Sequence, residues 1–195
     1  SKLGDLLSAN AFYEGNLVIK NLGQLANAHE MIKTGADDPT ITVKGNVDIV
    51  VGGASGVTKD SIASVQLILS KLRSIQGTAT VTTESTADLP ALTYVTGNVD
   101  LNGVDGKANI TAGKLLTIDG NMTITGLTGA ISLPTLGSVG NVNITEVAGK
   151  ATVTSIDFSS WISLPMAALI FLTFRTSSLM DKPTFILMAL NPWET

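Results

Sequence analysis

Gly120-Asn121-Met122-Thr123-Ile124 and Gly140-Asn141-Val142-Asn143-Ile144 are two copies of one short pattern, Gly-Asn-apolar-x-apolar. Gly15-Asn16-Leu17, Gly45-Asn46-Val47 and Gly97-Asn98-Val99 open three more, and Gly77-Thr78-Ala79-Thr80-Val81 is a looser sixth. Alternation after the glycine is the period-2 signature of a strand with one buried face, so Val142 and Ile144 are expected to point inward. A single such strand cannot bury its apolar face alone, whereas stacked copies form a continuous core.

The similarity continues upstream, where residues 71–77 align without gaps on residues 114–120. The glycines at 77, 97, 120 and 140 step by 20, 23 and 20 residues, and a second marker at Gly106, Gly129 and Gly149 steps by 23 and 20. Each unit therefore reads as one coil. A second short strand is expected after the second glycine, at Ala108-Asn109-Ile110, Ile131-Ser132-Leu133 and Ala151-Thr152-Val153. Stacked at about 4.8 Å, the coils would align Val47, Val99, Met122 and Val142 in one interior column and Ile49, Val81, Leu101, Ile124 and Ile144 in the next. The repeated glycine supplies either a positive-φ corner or a close backbone approach. The Asn beside it either ladders along the stack or caps the turn.

These observations predict a mainly β fold, a right-handed parallel β-solenoid with short inserted helices and an N-terminal helical cap. Residues 22–33 and 61–72 carry apolar side chains at helical spacing, and residues 1–12 read as a third short helix covering the open end. The solenoid domain is expected to span 1–156. All 19 glycines lie at or before Gly149, while both Trp and four of five Phe lie at or after Phe158. Residues 157–195 therefore form an atypical hydrophobic segment, read as a cap, a self-association or membrane-contact surface, or a tail foreign to the repeat.

A net charge of −4 lacks the basic stripe that a nucleic-acid partner requires. With no Cys, disulfides, thiolate metal sites and Cys nucleophiles are all excluded. The nearly uncharged run 158–174 is broken by Pro165 and is too short for a spanning helix, so no transmembrane helix is predicted. The chain opens on Ser1-Lys2-Leu3 without an initiator Met, as expected of a processed chain or a piece of a longer one.

Nothing in the pattern calls for catalysis, a metal or a cofactor. His29 is the only histidine and lies on a predicted helix with no Ser or Asp partner at a recognisable spacing, so it reads as an ordinary helix residue. The run from Asp100 through Asn102 to Asp105-Gly106 has a calcium-loop flavour, but its third ligand is misplaced and no Glu closes the loop. The repeat puts Asp100 where Thr123 and Asn143 stand elsewhere. Asp37-Asp38 after Gly35 reads as a solvated turn rather than a cation site. Outward threonines such as Thr80, Thr82, Thr123 and Thr125 suggest a hydroxyl array, but Asp100, Asn102 and Asn143 interrupt it, and Thr is a good strand residue in any case.

The frame Leu-x-x-Ile-x-Gly-x-apolar-x-Ile, seen in residues 72–81 and 115–124, resembles the receptor L domain, a relative of leucine-rich repeats found in growth-factor receptors and bacterial surface proteins. The resemblance covers roughly residues 13–156. Receptor relatives carry disulfides and this chain has no Cys, which favours the bacterial surface branch. The resemblance implies a secreted or cell-surface module, not an enzyme, that binds a protein or glycan partner. The ligand face is expected to be one outward column: Asp48, Thr80, Asp100, Thr123 and Asn143. The alternative is a structural subunit of a surface filament, assembling end to end or through the apolar segment.

Overall fold

The computed structural model describes residues 10–52, 61–104, 108–145, 153–157, 169–173 and 184–188. Sheet A contains β1 (Asn10–Glu14), β3 (Thr40–Lys44), β5 (Leu72–Ile75), β8 (Tyr94–Val95) and β11 (Thr117–Ile118) in that order, all parallel. Sheet B begins with β2 (Leu17–Ile19), β4 (Val47–Val51), β6 (Ala79–Thr83), β9 (Val99–Gly103), β12 (Met122–Thr125) and β14 (Asn141–Thr145), again parallel. Sheet C contains β7 (Thr86–Asp88), β10 (Ala108–Thr111), β13 (Leu127–Ser132) and β15 (Val153–Asp157). From β5 to β13 the chain visits A, then B, then C in each turn, so successive turns stack as parallel coils.

In the first two turns helices α1 (Leu22–Met31) and α2 (Ile62–Leu69) follow β2 and β4 in the chain, where later turns have strands of sheet C. α1 packs on α2, and α2 on β7. Asn21 caps α1: its Oδ1 accepts the Gln24 N–H at 2.8 Å, and Gln24 Oε1 accepts the Lys20 N–H at 2.7 Å. Leu25 and Ala28 of α1, and Val65, Ile68 and Leu69 of α2, face the core.

Two boundaries differ from the sequence expectation. The helix expected over 61–72 ends at the Ser70 cap, because Leu72 pairs with Ile41 and Ile75 with Val43 in sheet A, and all four are buried. Residues 10–12 of the N-terminal helix expected over 1–12 are instead strand, part of β1, which pairs residue for residue with β3. Residues 1–9 lie outside the described residues.

Both columns form in the expected register. Val47, Ala79, Val99, Met122 and Val142 are register partners in sequence along the stack, as are Ile49, Val81, Leu101, Ile124 and Ile144. Met122 and Ile124 are fully buried. Close backbone approach explains the repeated glycine. A Cβ on Gly97 would stand 2.7 Å from the backbone of Gly77, and the glycines at 45, 77, 120 and 140 likewise face the glycine of the preceding coil at under 3.0 Å. Among these corner glycines only Gly15 has positive φ, at 86°.

Sheet C departs from the expected alignment. Ile110 pairs with Ile131 and Ile131 with Ile156, whereas the repeat had matched Ile110 to Leu133 and Val153. The cause is register shifts between Ala108 and Ile110 and between Gly129 and Ala130, bulges that change how many residues each coil spends on this side. Beyond β15, β16 (Leu169–Thr173) adds to sheet B parallel to β14, and β17 (Thr184–Met188) pairs antiparallel with β16.

Candidate functional site: the outer face of sheet B

Sheet B keeps unshifted register from β2 to β14. Residues on alternate positions therefore line up straight across the strands. Asp48, Thr80, Asp100, Thr123 and Asn143 are consecutive register partners and form one continuous row. The first four are half-buried and Asn143 is exposed. Val18 on β2 and Phe171 on β16 take the register positions at the two ends.

Period 2 places two further rows on the same face, one on each side of this one. Thr82, Asn102 and Thr125 are register partners two residues along, all half-buried. That row begins at Val50, which is buried and lies outside the main core cluster. Two residues in the other direction stands the corner row of Asn16, Asn46, Thr78, Asn98, Asn121 and Asn141. Sequence reasoning had left these Asn residues with two possible roles. They form a ladder.

The ladder follows from the glycine corner. Gly97, Gly120 and Gly140 each donate the backbone N–H to the glycine carbonyl of the preceding coil, at 2.9, 3.0 and 2.9 Å. The next N–H belongs to the Asn, and a side chain of the coil before supplies its acceptor. Asn16 Oδ1 accepts from Asn46 N at 2.8 Å, Asn46 Oδ1 from Thr78 N at 2.9 Å, Asn98 Oδ1 from Asn121 N at 2.9 Å, and Asn121 Oδ1 from Asn141 N at 2.9 Å. In the looser copy, Thr78 Oγ1 accepts from Asn98 N at a longer 3.3 Å. Each of the four Asn acceptors engages Oδ1 and leaves Nδ2, a donor, on an exposed residue.

The face is weakly charged. Lys20 Nζ stands 2.6 Å from Asp48 Oδ2 and compensates that carboxylate. No ion pair involves Asp100 among the described residues. The outward positions of β4, β6, β9, β12 and β14 include no aromatic residue and no Lys or Arg.

The other candidates resolve differently. His29 meets a serine that no spacing rule could supply: its Nε2 lies 2.8 Å from Ser64 Oγ and 3.0 Å from the Ser64 carbonyl, joining α1 to α2. With the proton on Nε2 the ring donates to the carbonyl, and with it on Nδ1 the ring accepts from Oγ; either bond links the two helices. The pair is a helix-to-helix tie. Asp38 is used within its turn: Oδ2 accepts the Gly35 N–H at 2.7 Å, and its carbonyl accepts from the buried Lys71 Nζ at 2.9 Å. Asp105 and Gly106 of the calcium-like run lie outside the described residues. Among the described residues no cluster of three His, Asp or Glu side chains could hold a metal ion, and no helix is long and apolar enough to cross a membrane. On sheet A, the Tyr94 hydroxyl donates to Asp119 Oδ2 of the next coil. That bond, to an acceptor that is itself negative, raises the phenol pKa above 10.0, with desolvation and the carboxylate charge adding to the effect. No family model, curated protein or solved structure matches this chain.

Proposed function

We propose that the chain is a non-catalytic binding or adhesion module of the extracellular or bacterial cell-surface kind, and that it presents the outer face of sheet B to a protein or glycan. The observation that carries this reading is the straight row from Asp48 to Asn143, flanked by two further polar rows on an unshifted sheet. Side chains fixed to a rigid sheet meet a ligand with little loss of conformational entropy. The coils are taken as right-handed, the hand of about 98% of parallel crossover connections. The receptor L-domain likeness of the repeat frame supports the same surface role.

The test is retention on immobilised glycans and extracellular proteins, comparing the wild type with Thr80→Val/Thr123→Val. Leu116→Ala, on a 53% exposed residue next to β11, serves as the control away from the face. The reading expects a ligand lost by the double variant and kept by the control. A ligand held equally by all three, or turnover of a glycan, counts against it.

A structural-subunit reading rests on β17, an uncharged strand at the end of sheet B. Its antiparallel direction breaks the parallel register that end-to-end stacking would continue, so association would run through the 157–195 segment itself. Light scattering over a concentration series decides it: growth of the particle with concentration supports assembly, and a constant monomer removes it.

A further inference from the structure

We infer that the ligand of the outer face of sheet B is an uncharged, linear, hydroxyl-rich polymer, a neutral polysaccharide, lying across the strands along the stack. The inference rests on the reading of this face as the binding surface and assigns it a ligand class.

Hydrogen-bond chemistry comes first. The corner row offers Asn Nδ2 donors, because the ladder already engages Oδ1 of Asn46, Asn98 and Asn121. The adjacent row offers hydroxyls that donate and accept, with the Asp100 carboxylate as an acceptor among them. Sugar hydroxyls also donate and accept, so they can satisfy both rows together. The donors are held by the fold before the ligand arrives, and binding need not order them.

Charge and apolar content exclude the main competitors. A protein interface draws its affinity from buried aromatic, Arg or aliphatic anchors, and the outward positions from β4 to β14 offer none exposed. A polyanion, whether nucleic acid or an acidic glycan, would meet Asp100 with no cation in these rows to offset it. Lys20 is already engaged with Asp48.

Shape points to a polymer. A polar side chain stands at the same two positions of every coil from β4 to β14, about 4.8 Å apart, with hydroxyls at Thr80 and Thr123, and the row extends for roughly 19 Å. A repeated, straight, flat site suits a chain with a repeated unit better than a single compact sugar.

The test is affinity electrophoresis of the full chain in gels containing hydroxyethylcellulose, xyloglucan, mannan, dextran or laminarin, with polygalacturonate and heparin as anionic probes and the extracellular protein panel run in parallel. At least one neutral polysaccharide is expected to retard the wild type. Thr80→Val/Thr123→Val, which keeps side-chain shape but removes two hydroxyls, should bind it at least about tenfold more weakly with an unchanged unfolding midpoint. Asp100→Asn should retain binding within about threefold, since the contact needs an acceptor and not a charge. Loss of binding in Asp100→Asn, or face-dependent retention confined to anionic polysaccharides or to a protein, overturns the inference and leaves the binding face intact. No face-dependent retention of any class overturns both.

Discussion

Asn98 Oδ1 accepts the backbone N–H of Asn121, 2.9 Å away on the next coil. The same bond recurs between Asn121 and Asn141, so each coil satisfies a backbone donor of its successor through a side chain. Asn98→Ala is expected to lower the unfolding free energy by about 1 kcal/mol, since water can reach the exposed corner and partly replace the lost acceptor. Asn98→Asp keeps an acceptor and should lose less. Urea denaturation measures both, and equal losses for Ala and Asp would remove the ladder as a source of stability.

The corner glycines make a sharper contrast. Gly97→Ala would press its methyl against the backbone of Gly77, which has no flexible side chain to yield, while a Cβ on Gly113 meets nothing within 4 Å. The first substitution should cost about 1–3 kcal/mol as an overpacked contact. The second should stay within about 0.5 kcal/mol. Thermal unfolding of the two variants side by side gives the comparison, and similar midpoints would contradict the packing described for the corner.

Neighbouring residues on β12 should respond in opposite ways. Met122 is fully buried in the interior column, so Met122→Ala is expected to cost about 2–5 kcal/mol. Thr123 faces outward and half-buried, and Thr123→Val should change stability by no more than about 0.5 kcal/mol. Equilibrium unfolding of each variant checks this alternation, which also keeps the binding test free of folding artefacts.

Tyr94 supplies a signal at high pH. Its phenol is held above the ordinary 10.0 by the hydrogen bond to Asp119, so that bond stabilises the fold fully below pH 10 and the contribution is lost as pH rises through the higher folded value. The difference in phenolate absorbance between wild type and Tyr94→Phe isolates this group. It should titrate later than a free tyrosine, and Asp119→Asn should move it back down. A titration at the ordinary value in the wild type would mean that the bond does not persist in solution.

Legibility in the sequence followed the regularity of each sheet. Sheet B could be read because Gly-Asn-apolar-x-apolar alternates without interruption, so the columns through Met122 and Ile124 and the row through Thr123 followed from period 2 alone. Sheet A was missed as a separate sheet, although the match of 71–77 to 114–120 carried it, because β8 and β11 have two residues each and show no alternation. Sheet C was misaligned because its bulges add residues that an alignment on glycines cannot place. The Asn row lay within the quoted motif, but its role depends on which way each corner N–H points, and that emerges only when glycine carbonyls pair between coils. The tie between His29 and Ser64 joins two helices 35 residues apart and leaves no local trace.

The central claim is that Asp48, Thr80, Asp100, Thr123 and Asn143 form one straight row, and thiol cross-linking tests it directly because the chain has no cysteine of its own. Thr80→Cys paired with Asp100→Cys places two thiols on adjacent strands, about 4.8 Å apart, within reach of a disulfide. Thr80→Cys paired with Thr123→Cys places them two strands apart, beyond that reach. Rapid bridging of the 80/100 pair and none of the 80/123 pair is the predicted result; the reverse pattern, or equal bridging of both, would contradict the row and with it the proposed site.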